Sequence, residues 1–117
     1  MEQNDINIVE LVSELLGEKK YVEARSILND LEPADVAYVL EELEEIYELM
    51  AFRLLPKELA AEAFAELEGD LQERLIRSFS DNELKEIIDE MYLDDTVDMI
   101  EEMPAGIVKR ILRVTDP

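Results

Sequence analysis

The chain has 117 residues, 48% of them apolar, with 31 acidic against 11 basic side chains and a formal charge of -20. That length suits one domain of modest core size, and the apolar fraction is too high for a disordered chain. The charge has the wrong sign for a phosphate backbone, which excludes nucleic acid as a partner and favours cations or a basic protein surface, although acids also serve solubility alone.

Residues 1–4 read as a flexible polar lead. Apolar spacing predicts a first helix over 5–16, with Ile8, Leu11, Val12, Leu15 and Leu16 on its inner face and Gly17 as its C-terminal stop. A second helix, over about 20–29, is expected to bury Val22, Ile27 and Leu28. Pro33 opens a third over 33–44, since its missing N–H is no loss in a first turn; Val36, Val39, Leu40 and Leu43 form its apolar side. The fourth, 46–54, is apolar through Leu49, Met50, Phe52 and Leu54. The fifth starts at Pro56 and carries Leu59, Ala60, Ala63, Phe64 and Leu67 to an end at Gly69; its alanines predict close helix approach. The sixth covers about 70–79. Ser80 and Glu83 have the capping-box spacing, and the seventh helix continues through Leu84, Ile87, Ile88 and Met91. Asp94, a good N-cap residue, is the expected start of the eighth, which ends before Pro104. The ninth, 105–114, presents Ile107, Val108, Ile111 and Leu112.

Shifting the sequence by 24 residues lands like on like. Val36, Ala60, Leu84 and Val108 form one column; Leu40, Phe64, Ile88 and Leu112 form another. In the second half of the unit the columns are Ile27/Ala51/Leu75/Met99, Leu28/Phe52/Ile76/Ile100 and Leu31/Leu55/Phe79/Met103. Pro56, Ser80 and Pro104 open successive units. Two helical stripes per period predict an all-α right-handed superhelix of short antiparallel hairpins, armadillo- or HEAT-like. Its units are 8–31, 32–55, 56–79 and 80–103, with a half unit over 104–114, in one domain over 5–117. Helices this short gain their order from stacking. On periodicity alone, an ordinary helical bundle is the alternative.

Without His or Cys, the common nucleophile–base triads cannot be assembled, and nothing marks a carboxyl pair with a raised pKa, so no enzyme is expected. The usual zinc ligands are missing too, and an all-carboxylate site suits magnesium, calcium or manganese. There is neither a positively charged leader nor an apolar run of about 18 residues, so these residues are not expected to insert into a membrane. Asp94 and Asp98 lie one helical turn apart, with Asp95 beside them. They can converge on a cation, or they can cap a helix and complement its dipole; spacing leaves both readings open. The set does not match the calcium-loop pattern, so an ion here would keep several waters, as magnesium does. The run Glu41-Glu42-Leu43-Glu44-Glu45 reads as a solvated helix end or a surface for a basic partner.

The runs Leu54-Leu55-Pro56-Lys57-Glu58-Leu59-Ala60-Ala61-Glu62-Ala63 and Leu93-Asp94-Asp95-Thr96-Val97-Asp98-Met99-Ile100 resemble those of the cytosolic N-terminal domain of the MgtE family of magnesium transporters and channels. The resemblance implies a magnesium-sensing regulatory domain, followed in a homodimeric bacterial inner-membrane protein by a CBS domain and a pore. It further implies magnesium held between carboxylates of the two domains, favouring the closed pore. The matching positions are Asp94 and Asp98, with Glu62 from the neighbouring hairpin and Asp95 in support. Calcium or manganese could substitute, and the isolated domain should bind weakly. An armadillo-like interaction module resembling the flagellar motor switch protein, without an ion role, is the alternative.

Overall fold

The computed structural model describes residues 3–115, with side chains from Asn7 onward. Among these residues there are nine helices and no strand: α1 (Gln3–Gly17), α2 (Tyr21–Asn29), α3 (Pro33–Glu42), α4 (Glu45–Arg53), α5 (Lys57–Glu66), α6 (Gly69–Ser78), α7 (Asp81–Glu90), α8 (Leu93–Glu102) and α9 (Ala105–Thr115). The flexible lead expected over 1–4 lies partly outside the described residues, and Gln3 and Asn4 already belong to α1.

From α2 onward a helix starts every 12 residues, at 21, 33, 45, 57, 69, 81, 93 and 105, which is the 24-residue repeat divided between two helices. The odd-numbered helices stack in a row, α1 on α3, α3 on α5, α5 on α7 and α7 on α9. On the other side, α4 packs on α6 and α6 on α9, while α8 leans on α5. The result is the expected all-helical repeat array, with extents of 40 × 27 × 22 Å.

The repeat columns are the core. Val36, Leu40, Phe64, Ile76 and Leu84 are fully buried; burial loosens towards both ends, where Ile27, Leu31 and Val108 are half-buried and Leu112 is exposed. The three phenylalanines, from three different columns, meet at the centre: Phe52 lies 5.8 Å from Phe64 and 5.3 Å from Phe79 between ring centroids, in edge-to-face and tilted geometries that aromatic quadrupoles favour. Each such ring contributes about 2 kcal/mol by burial. Ala60, Ala61 and Ala63 are buried, consistent with α5 approaching its neighbours closely.

Several local expectations are corrected. α1 does end at Gly17, though not through a left-handed conformation of that residue. That conformation falls on Lys19 (φ 61°), with the Lys20 N–H donating to the Leu15 carbonyl (2.8 Å) and the Lys19 N–H to Leu16 (3.1 Å), a Schellman closure. Gly17 serves close approach instead, since a Cβ there would stand 3.1 Å from the Tyr47 hydroxyl. Gly69 opens α6 rather than ending α5. Val22 is 79% exposed, and α2 buries Ala24 in its place beside the expected Leu28; Leu11, Met50 and Leu112 also face outward. The capping box at Ser80 is present: the Glu83 N–H donates to Ser80 Oγ (3.1 Å), and the Ser80 N–H donates to the Glu83 carboxylate (3.0 Å).

Candidate functional site

From α3 onward, the turns between odd and even helices share one form, which decides where the aspartates of α8 point. In each, an apolar residue in extended conformation dives inward and the next residue is the N-cap: Leu43 then Glu44, Leu67 then Glu68, Met91 then Tyr92. The N-cap of α8 is therefore Tyr92, with no side-chain cap, and Asp94 is the second residue inside the helix. The expectation of Asp94 as N-cap is corrected by this register. Its carboxylate, like that of Asp95, complements the N-terminal end of the helix dipole.

Met99 and Met103 anchor the inner side of α8. The face beside that anchor carries Asp95, Asp98 and Glu102, which border a depression of about 160 Å³ floored by Leu67, Met99 and Gln72. Gln72 is itself buried and donates from Nε2 to the Phe64 carbonyl (2.9 Å), tying α6 to α5 under this floor. Asp94 lies one turn before Asp98, exposed on the outward side of α8. It stands among Leu93 and Val97, which are 75% and 45% exposed. Glu62 is exposed on α5, one turn before Ala65 on the rim of the depression. The structure thus brings Asp95 and Asp98 to one depression, leaves Asp94 on its outer shoulder, and adds Glu102, which the sequence reading did not single out. Its spacing of four from Asp98 was the available signal.

The electrostatics differ sharply between the two sides of the molecule. Cations stitch acids together over α4, α6, α7 and α9. Arg74 grips the buried Glu48 through two hydrogen bonds (3.0 and 2.8 Å), and Arg53 does the same to Glu83 (2.8 and 2.9 Å). Glu83 is held down to about 2, chiefly by the hydrogen bonds from Arg53. Arg110 bonds Asp81 (3.0 Å) and the carbonyls of Ile76 and Phe79, closing the C-terminal end of α6. By contrast Glu62, Asp94, Asp95, Asp98 and Glu102 have no ion pair or side-chain hydrogen bond among the described residues. For the four on α8 the sequence explains the lack of a partner, because between Lys85 and Lys109 the chain has eight acids and no base.

Among the described residues, no three acidic side chains come together as a ready-made metal cage. The oxygen-only, solvent-facing donors nevertheless fit a hydrated magnesium ion, which keeps several waters and binds through one or two carboxylates. No described helix is long and apolar enough to cross a membrane.

No curated protein matches the chain. The family model described as the MgtE intracellular N domain matches residues 31–117, from the end of the α2–α3 turn onward, leaving α1 and α2 outside. That match covers most of the chain and all of the acidic face just described, and the chain belongs to the family of the MgtE intracellular N domain.

Proposed function

We propose that this domain senses intracellular magnesium for a magnesium transporter, through the acidic face formed by α8 and the adjoining part of α5, and that the ion favours a docked, closed state of the parent protein. The observation that carries this reading is the gathering of Asp95, Asp98 and Glu102 at one depression, with Asp94 on its shoulder and Glu62 one turn before its rim, all five without an ion pair among the described residues, where the chain has no base between Lys85 and Lys109. Like charges held near one another raise the free energy of any state that brings further carboxylates against them, and a divalent ion reverses that sign. If a following CBS domain of the same homodimeric protein supplies those carboxylates, the ion binds the docked state better than the separated one and shifts the population towards it. Exposed Leu93 and Val97 beside the aspartates give such a partner an apolar contact as well as a shared ion.

Binding by this domain alone uses part of the ligand set and is expected to be weak, with a Kd of roughly millimolar order. Manganese, which accepts the same oxygen donors, locates it. In amide-resolved NMR of the chain, trace manganese should broaden signals from Asp94 to Glu102 and around Glu62, and excess magnesium should restore them. Broadening centred instead on Glu41–Glu45, or spread evenly over the acidic surface, would refute the assignment and leave the α8 face to a basic protein partner.

A further inference from the structure

A separate pocket, of about 190 Å³, opens where α4, α5 and α7 meet. Its floor is apolar, with Phe52 and Phe79 from the aromatic centre, Leu55 from the α4–α5 turn and Ile87 from α7. One wall is fixed, because Arg53 and Glu83 neutralise each other through two hydrogen bonds and Glu83 is further held by Ser80 in the capping box. Two other charged residues reach the rim, Lys57 at the start of α5 and Glu86 on α7. Neither has an ion pair or side-chain hydrogen bond among the described residues, with each other or with anything else. Lys57 also stands at the N-terminal end of a helix that has no side-chain cap. The Leu55-Pro56-Lys57 run, which the acidic face of α8 does not use, supplies both a floor residue and the rim cation of this pocket.

The chemistry of a matching ligand follows from these parts. The volume is below that of pockets for drug-sized molecules, which begin at about 300 Å³, so the ligand is small. The floor requires an apolar body. The rim carries two positive and two negative side chains and is neutral overall, an exception in a chain of charge -20. A simple anion is repelled by the field of the whole molecule, and a simple cation leaves Lys57 facing like charge. A molecule with both charges on one end meets Lys57 with its anion and Glu86 with its cation. We infer that this pocket is a binding site for a small apolar zwitterion, a free apolar α-amino acid such as leucine or phenylalanine, distinct from the carboxylate face of α8.

The test is an amide-resolved NMR titration of the chain with L-phenylalanine and L-leucine, alongside 3-phenylpropionate, which lacks the ammonium, and 2-phenylethylamine, which lacks the carboxylate. Saturable shifts centred on Phe52, Ala60, Phe79 and Ile87 are expected, with each single-charge analogue binding at least about threefold more weakly, the weight of one exposed charge contact. Lys57→Met and Glu86→Gln, both on exposed side chains and so harmless to the fold, should each weaken the amino acids by a similar factor. Shifts that fail to saturate or that scatter over the surface would overturn the site. Equal binding of all three probe classes, or wild-type affinity in both variants, would overturn its zwitterion chemistry.

Discussion

Glu83 is the residue at which a local pair and the global charge can be separated by experiment. The two hydrogen bonds from Arg53, helped by the Ser80 N–H and opposed by partial burial, lower its pKa from 4.5 to about 2. Because the folded value lies below the unfolded one, the pair stabilises fully above about pH 4.5, and that contribution is lost as pH falls through about 2. Solvent reaches about a third of the side chain, which screens the interaction, so the pair is worth about 1 kcal/mol at neutral pH. Glu83→Gln keeps the capping box, since glutamine can fill that position, and removes the charge together with the acceptor oxygen of one Arg53 hydrogen bond. Urea unfolding of the two proteins at fixed ionic strength should show a stability difference of about 1 kcal/mol at pH 7 that closes between pH 4.5 and 2. A difference independent of pH would mean that Arg53 does not discriminate the charged form.

At the scale of a helix, the start of α8 shows what sequence made legible and what it did not. The 24-residue columns foretold the architecture and nearly all of the core, because apolar identity at repeat spacing reports burial directly. Helix ends were read one at a time from local capping chemistry, and there the aspartates of α8 misled: Asp94 is a better N-cap by type than Tyr92, yet the turn that leans Met91 against the core fixes the helix start at Leu93. The same holds at Gly69, a residue that often follows a helix but here begins one, in register with Glu45 and Leu93. Applying the repeat to boundaries as well as to cores would have placed all three. Val22 was misjudged for another reason, since in a short end helix the apolar stripe is narrow and Ala24, a weak hydrophobic signal, takes the buried position. Of the candidate site, the aspartates themselves were legible; Glu102 and the division of Asp94 from Asp95 across the two sides of α8 depended on the rotation of the helix. With an exposed Tyr92 in extended conformation and no side chain bonding the first amides, Tyr92→Ser should supply the missing cap and raise stability by about 1 kcal/mol in thermal or urea unfolding. A neutral or destabilising result would show that Tyr92 packs in a way the serine cannot replace.

At the scale of the molecule, the uneven pairing of charge decides how the domain should answer to salt. A net charge of -20 opposes compaction, so any added electrolyte stabilises the fold by screening. Screening depends on ionic strength, whereas binding at the α5–α8 face depends on the ion, and the two can be told apart by comparing sodium and magnesium chlorides at matched ionic strength. With free magnesium at about four times a millimolar-order Kd, linkage adds about 1 kcal/mol, which for a chain of this size is about 4 °C in Tm. Replacing Asp94 and Asp98 by Asn and Glu62 by Gln should remove that excess while leaving the response to sodium chloride in place. The fold should survive, because these side chains are exposed and make no hydrogen bond or ion pair to lose, and because Asp94 contributes to α8 only through the helix dipole, about 0.5 kcal/mol. A second variant, Asp95→Asn with Glu102→Gln, removes the two carboxylates of the depression other than Asp98, which the first variant already covers. If the magnesium excess follows the first variant, the ion sits where a docking partner can share it; if it follows only the second, the ion lies within the depression, bridging nothing, and the docking role fails. An identical Tm in the two salts would reduce the acidic face to a source of general repulsion.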